Sequence, residues 1–289
     1  MDPLESVVTI FNRKICNLTE GNENALGGIV CVWNDRAVAN GDDVMIMNPV
    51  YPGMLAFAER SWRGGGYAGW TATIGEPETE RATAFAEFEN RLLDQKQQYF
   101  KGLDFPYVKQ ADLVWDIYGP YENKGNLSKV FAPESIKFNA LKEKPKYKAT
   151  GGTLVMKHWW APLISGVVEQ PQENTTWYAQ TQIWSDEDKQ REFWIGFNNL
   201  SRSMSTDSPN AGTWNNLKSQ VWVNNELVSP PLWKHPNQKG NLEIPLIDEG
   251  YEFREPTLIS LKKGWNTVKV KLPVASFKGP NWTNPVKWM

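Results

Sequence analysis

The apolar residues of this chain change their spacing partway along, and that change limits the folds open to it. In the first third they recur at helical intervals. Leu4, Val7, Val8, Phe11 and Ile15 form one stripe, Leu55, Ala58 and Trp62 a second, and Phe85, Phe88, Leu92 and Tyr99 a third. From Pro106 onward helical spacing gives way to short alternating stretches divided by turn residues. These include 151–156, 176–184, 192–197, 220–223 before Asn224-Asn225, and 266–272 after Lys263-Gly264-Trp265. The first pattern predicts helices and the second an antiparallel β-sandwich or jelly roll. The boundary falls at residues 102–110, giving one unit over 1–104 and another over 105–289.

Local signals mark the helix ends. Asp2-Pro3-Leu4-Glu5 is a capping-box arrangement, so the first helix starts at the second residue with an apolar stripe that needs a partner. The triple glycine 64–66 stops the second helix, and the third follows Pro77 and ends near Gly102. Between the first two helices, Gly27-Gly28-Ile29-Val30-Cys31-Val32-Trp33-Asn34-Asp35 reads as a parallel strand covered on both faces. At the carboxyl end of a barrel strand, Trp33 would be a sugar platform and Asp35 a hydroxyl clamp. The alternative is a buried Trp followed by an Asn-Asp turn.

Composition excludes several functions. The net charge of −2 gives no concentrated basic face for nucleic acid or an anionic membrane, and no apolar run is long enough to span a bilayer. No signal peptide is visible. Cys16 and Cys31 are too few for a disulfide scaffold and read as free buried thiols; with only His158 and His235, both distant from them, metal ligation is not expected. No cofactor is called for. Fifteen tryptophans are the outlier, and Trp serves both sugar sites and β-sandwich cores. Trp159, Trp160, Trp184 and Trp214 are accordingly either core or an exposed platform.

Two segments in sequence carry a family likeness. The Gly-Gly…Trp-Asn-Asp strand and the Pro52, Ala56, Ala58, Glu59, Trp62 pattern resemble the last strand and last helix of the catalytic barrel of glycoside hydrolase family 20, the β-N-acetylhexosaminidases. The later region is similar to the C-terminal module of large bacterial members, a galactose-binding-like jelly roll. Trp115 to Tyr121, Phe131-Ala132-Pro133-Glu134, His158 to Pro162, Val221 to Asn225 and Gly264-Trp265-Asn266 carry that likeness.

The resemblance implies the C-terminal remnant of an α/β barrel followed by an all-β sandwich. It implies an exo-acting hydrolase that releases terminal β-linked N-acetylhexosamine, with a parent enzyme that is periplasmic or extracellular. Trp33 would wall the pocket, and Asp35 would stand where the family has Glu, contacting the outer hydroxyls. That chemistry is substrate-assisted and needs an adjacent Asp-Glu pair on the fourth barrel strand. This chain would begin after the seventh, so it would shape the sugar pocket without supplying catalytic residues, and its open barrel end would self-associate or await the upstream segment. The partner implied is a carbohydrate. Asp42-Asp43, Asp186-Glu187-Asp188 and Asp248-Glu249 lie in polar, turn-like contexts that would not raise a general acid's pKa. His158 reads as a core or hydrogen-bonding residue rather than a base. A stand-alone carbohydrate-binding or structural module is the competing reading.

Overall fold

The computed structural model describes residues 3–18, 20–31, 40–42, 50–102, 105, 107–135, 142–158, 163–197, 208–238, 251 and 254–276. Among the described residues three α-helices, α1 (Pro3–Asn12), α2 (Gly53–Arg63) and α3 (Glu80–Gln98), precede a β-rich remainder. The first stripe finds its partner within the chain. Val7, Val8 and Phe11 of α1 share a core with Ala56 of α2 and with Phe85, Phe88 and Leu92 of α3. Phe11 stacks on Phe88 with centroids 4.7 Å apart and meets Phe85 edge-on at 5.5 Å. The helices end where the sequence places punctuation. Thr79 caps α3 by accepting a hydrogen bond from Ala82 N, and Gly64, at φ 66°, closes α2.

The remainder is built on a six-stranded sheet in which every neighbouring pair is antiparallel, ordered β3-β2-β5-β10-β7-β8. Its strands are β2 (Val114–Glu122), β3 (Tyr147–Thr150), β5 (Thr175–Ser185), β7 (Gln220–Val223), β8 (Glu226–Leu227) and β10 (Gly264–Pro273). Asn224 and Asn225, at φ 50° and 67°, make the tight hairpin between β7 and β8, a conformation for which Asn is suited. A separate ribbon pairs β6 (Lys189–Phe193) with β9 (Thr257–Leu261).

Strand alternation divides the sheet into two faces. On one face Trp115, Ile117, Trp177, Ala179, Val268, Val270 and Leu272 form the larger core, and the β6–β9 ribbon lays Phe193, Ile259 and Leu261 over Ile183, Val223 and Val268. The result is a two-layer β arrangement at that end.

The opposite face departs from the alternation rule. Lys269 and Lys271 sit at polar positions of β10, yet they are only 5% and 1% exposed. Segment 129–135 covers them. Lys271 Nζ donates to Glu134 Oε1 at 2.7 Å and to Lys129 O at 2.8 Å, and Lys269 Nζ donates to Pro133 O at 2.6 Å. Tyr178 OH donates to the same Glu134 oxygen at 2.5 Å, and burial, reinforced by that bond, drives its pKa far upward. Burial lowers the pKa of Lys269, with Glu134 opposing.

The helical part and the sheet are in contact. Strand β1 (Trp70–Thr71) pairs in parallel with β4 (Ile164–Ser165), and Thr150 N donates to Gly75 O at 3.2 Å. Gly151, at φ 124°, lets the chains approach: a Cβ there would lie 3.0 Å from Ile74 Cδ1.

Four sequence expectations need correction. Of stretch 192–197 only Glu192 and Phe193 are strand, the last two residues of β6, where pairing with β9 stops. Stretch 151–156 is not a strand; the strand precedes it, at Tyr147–Thr150, where β2 offers a partner. The two thiols are exposed rather than buried, and Cys16 Sγ donates to Gly27 O at 3.3 Å. The strand expected from Gly27 is absent over its described part, 27–31, where Ile29 is 88% exposed. A both-faces-covered parallel strand needs neighbouring strands to take its backbone groups, and among the described residues no strand pairs with this segment.

Candidate functional site

Trp33 and Asp35 lie outside the described residues. Of the helix pattern beside them, Pro52 and Ala56 are buried and Glu59 accepts from Arg91 at 2.6 Å, with Arg63 at 3.5 Å. Trp62 projects outward, 90% exposed. The acidic triplet 186–188 is exposed in a turn, as its sequence context suggested, and Asp43, Asp248 and Glu249 lie outside the described residues.

The four tryptophans singled out in the β-rich part separate. Trp214 is core, at 4% exposure, with its indole N–H donated to Val228 O at 3.2 Å. Trp159 and Trp160 lie outside the described residues. Trp184 is 55% exposed, and across the β5–β10 ladder it faces Trp265, which is 64% exposed. Their rings meet edge to face, with centroids 5.4 Å apart and planes at 71°.

Large exposed rings on paired strands are held by what lies beneath them. Gly264, at φ 98°, allows the β9–β10 turn, and Asn266 pins it. This fully buried amide donates through Nδ2 to Lys262 O at 2.7 Å and Gly264 O at 3.0 Å. Its Oδ1 accepts from Lys262 N at 2.8 Å and from Asn224 Nδ2 at 2.7 Å. Asn224 Oδ1 in turn accepts from Thr267 N at 3.0 Å. Thus the residue after Trp265 locks the β9–β10 turn to the β7–β8 hairpin, and Trp265 stands on a fixed base.

The polar surroundings suit hydroxyl recognition. Gln182 and Thr267, directly paired one step inward from the tryptophans, carry neutral donor and acceptor groups on the same face. Further along, Gln180 Oε1 is shielded from solvent and meets no hydrogen-bond donor among the described residues. Half-buried Trp222 pairs with Leu227, 58% exposed, at the β7–β8 edge. One half of this face is closed by segment 129–135, and the other is open and aromatic. The Gly-Trp-Asn turn marked the place in sequence, but the exposure of Trp265 depends on its cross-strand partner, which local pattern does not name.

The buried titratable groups serve packing. Glu89 is fully buried and accepts from Tyr107 OH and Gln110 N at 2.8 Å and from Ala111 N at 3.0 Å, tying α3 to the approach of β2. Burial outweighs these bonds and raises its pKa. His158 is 5% exposed, and burial with the Lys157 charge lowers its pKa to about 4, so it is a neutral interior residue at pH 7. Among the described residues no three His, Cys, Asp or Glu side chains gather to hold a metal ion.

Comparison with known family models, with curated proteins and with solved structures returns no match.

Proposed function

We propose that this chain handles carbohydrate, with its β-rich part binding glycan on the open half of the six-stranded sheet. The observation that carries the reading is the exposed Trp184–Trp265 pair on a scaffold locked by Asn266. Exposed indoles cost solvation unless a ligand covers them, and a pyranose presents an apolar C–H face to a flat aromatic ring. Following the family-20 likeness, the chain would be the C-terminal portion of an exo-acting β-N-acetylhexosaminidase, with Trp33 and Asp35 forming part of the sugar pocket and the acid chemistry supplied by another segment.

Two measurements test this. Calorimetric titration with N-acetylglucosamine oligomers should give saturable binding that Trp265→Ala weakens by at least fivefold; equal binding by the variant would refute the site. The chain alone should not turn over aryl β-N-acetylhexosaminides, because its described acidic residues are solvated or engaged in packing. Turnover that disappears on mutating one of its carboxylates would overturn that assignment.

A further inference from the structure

The angle between the two indoles says what kind of glycan they can hold. A crystalline polysaccharide offers a plane of parallel chains, and rings that grip it must lie together in one plane. Planes that cross at 71° cannot both lie against that surface. They form a corner instead, in which one pyranose can rest its C–H face on one ring while its rim meets the other.

Charge narrows the ligand further. The two turns that border the pair carry Asp186, Glu187 and Asp188 against Lys189, Lys262 and Lys263, so their formal charges cancel. Lys189 is already engaged by Asp186 and by Glu187, and Asp188 Oδ1 accepts from Lys263 N at 2.6 Å. The next residues inward, Gln182 and Thr267, are neutral. An uncharged ligand with many hydroxyls complements this border, whereas a sulfated or uronate-rich ligand would meet carboxylates as readily as ammonium groups.

From this geometry we infer that the open half of the sheet takes a single soluble strand of neutral glycan, seating one pyranose in the Trp184–Trp265 corner, and does not bind crystalline polysaccharide. The inference rests on the glycan-binding reading above and specifies its ligand class.

The test uses the full chain with a panel of soluble neutral β-linked pentasaccharides (chitopentaose, cellopentaose and xylopentaose), heparin, swollen chitin and crystalline chitin. At least one neutral pentasaccharide should shift tryptophan fluorescence. Trp184→Ala and Trp265→Ala should each lower its association constant at least fivefold, and Trp265→Phe, which keeps an aromatic face, less than threefold. Chitopentaose should displace the protein from swollen chitin, while retention on crystalline chitin should not differ between wild type and the double alanine variant. Both indoles are exposed, so thermal melts of the variants should overlay the wild type; if an alanine variant unfolds, Trp184→Gln and Trp265→Gln, which also remove the aromatic face, carry the comparison with the same fivefold threshold. Tryptophan-dependent retention on crystalline chitin that chitopentaose cannot displace overturns the single-strand inference and leaves glycan binding standing. Preference for heparin over every neutral sugar overturns the neutral ligand. Absence of binding to the whole panel overturns the glycan-binding reading itself.

Discussion

Replacing Asn266 with alanine should destabilise the protein by about 2–4 kcal/mol. The side chain makes four short hydrogen bonds, to Lys262 O, Gly264 O, Lys262 N and Asn224 Nδ2, and it is fully buried. Each is worth roughly 1 kcal/mol net, and groups near the turn surface recover part of the loss from water, which sets the lower end of the range. Asn266→Asp discriminates more sharply. The carboxylate keeps an acceptor for Lys262 N and Asn224 Nδ2 but turns its second oxygen toward two carbonyls, so aspartate should cost at least as much as alanine at pH 7. Urea unfolding followed by circular dichroism reads both variants. If either lies within about 0.5 kcal/mol of wild type, a typical surface effect, the amide does not hold the β9–β10 turn to the β7–β8 hairpin and Trp265 has no fixed base.

Two buried groups make pH predictions of opposite sign. His158 has a folded-state pKa lowered to about 4 from 6.5, so the unfolded chain binds the extra proton first; the stability it contributes is complete above pH 6.5 and is lost as pH falls toward 4. His158→Gln should flatten that acid-side loss in urea midpoints measured between pH 4 and 7, and an unchanged slope would contradict the burial argument. Glu89 has its pKa raised above 4.5, so its contribution is complete below that value and declines as pH rises through the folded pKa. The stability difference between wild type and Glu89→Gln should therefore shift against wild type with rising pH from 4.5, and a shift in the other direction would show that the three donors outweigh desolvation.

What the sequence discloses here follows the range of its signals. The helices and strands β5, β7 and β10 are legible because 3.6- and 2-residue periods are local properties. Strand β3 lies a few residues before the stretch that alternation picks out, because Tyr147–Thr150 is extended by pairing with β2, which no local pattern announces. The same limit applies to Lys269 and Lys271. Alternation assigns them correctly to the face opposite Val268 and Val270, yet only segment 129–135, more than a hundred positions earlier, makes that face interior. The Trp184–Trp265 pair was half visible: strand ends and turn residues were readable, while the meeting of two rings 81 positions apart is a matter of register.

The order of strands has a consequence for how this protein is made. Strand β10 lies between β5 and β7 at the middle of the sheet, yet it is the last of the six in the chain. A chain emerging from its N-terminus can form the α1–α3 core early, but β5 must present an unpaired edge until residues 264–273 arrive. An exposed edge rich in Thr, Trp and Tyr is a template for pairing with other chains. Stalled or prematurely terminated products ending before residue 264 should therefore aggregate through β5, and translation speed over 185–264 should govern soluble yield more than speed elsewhere.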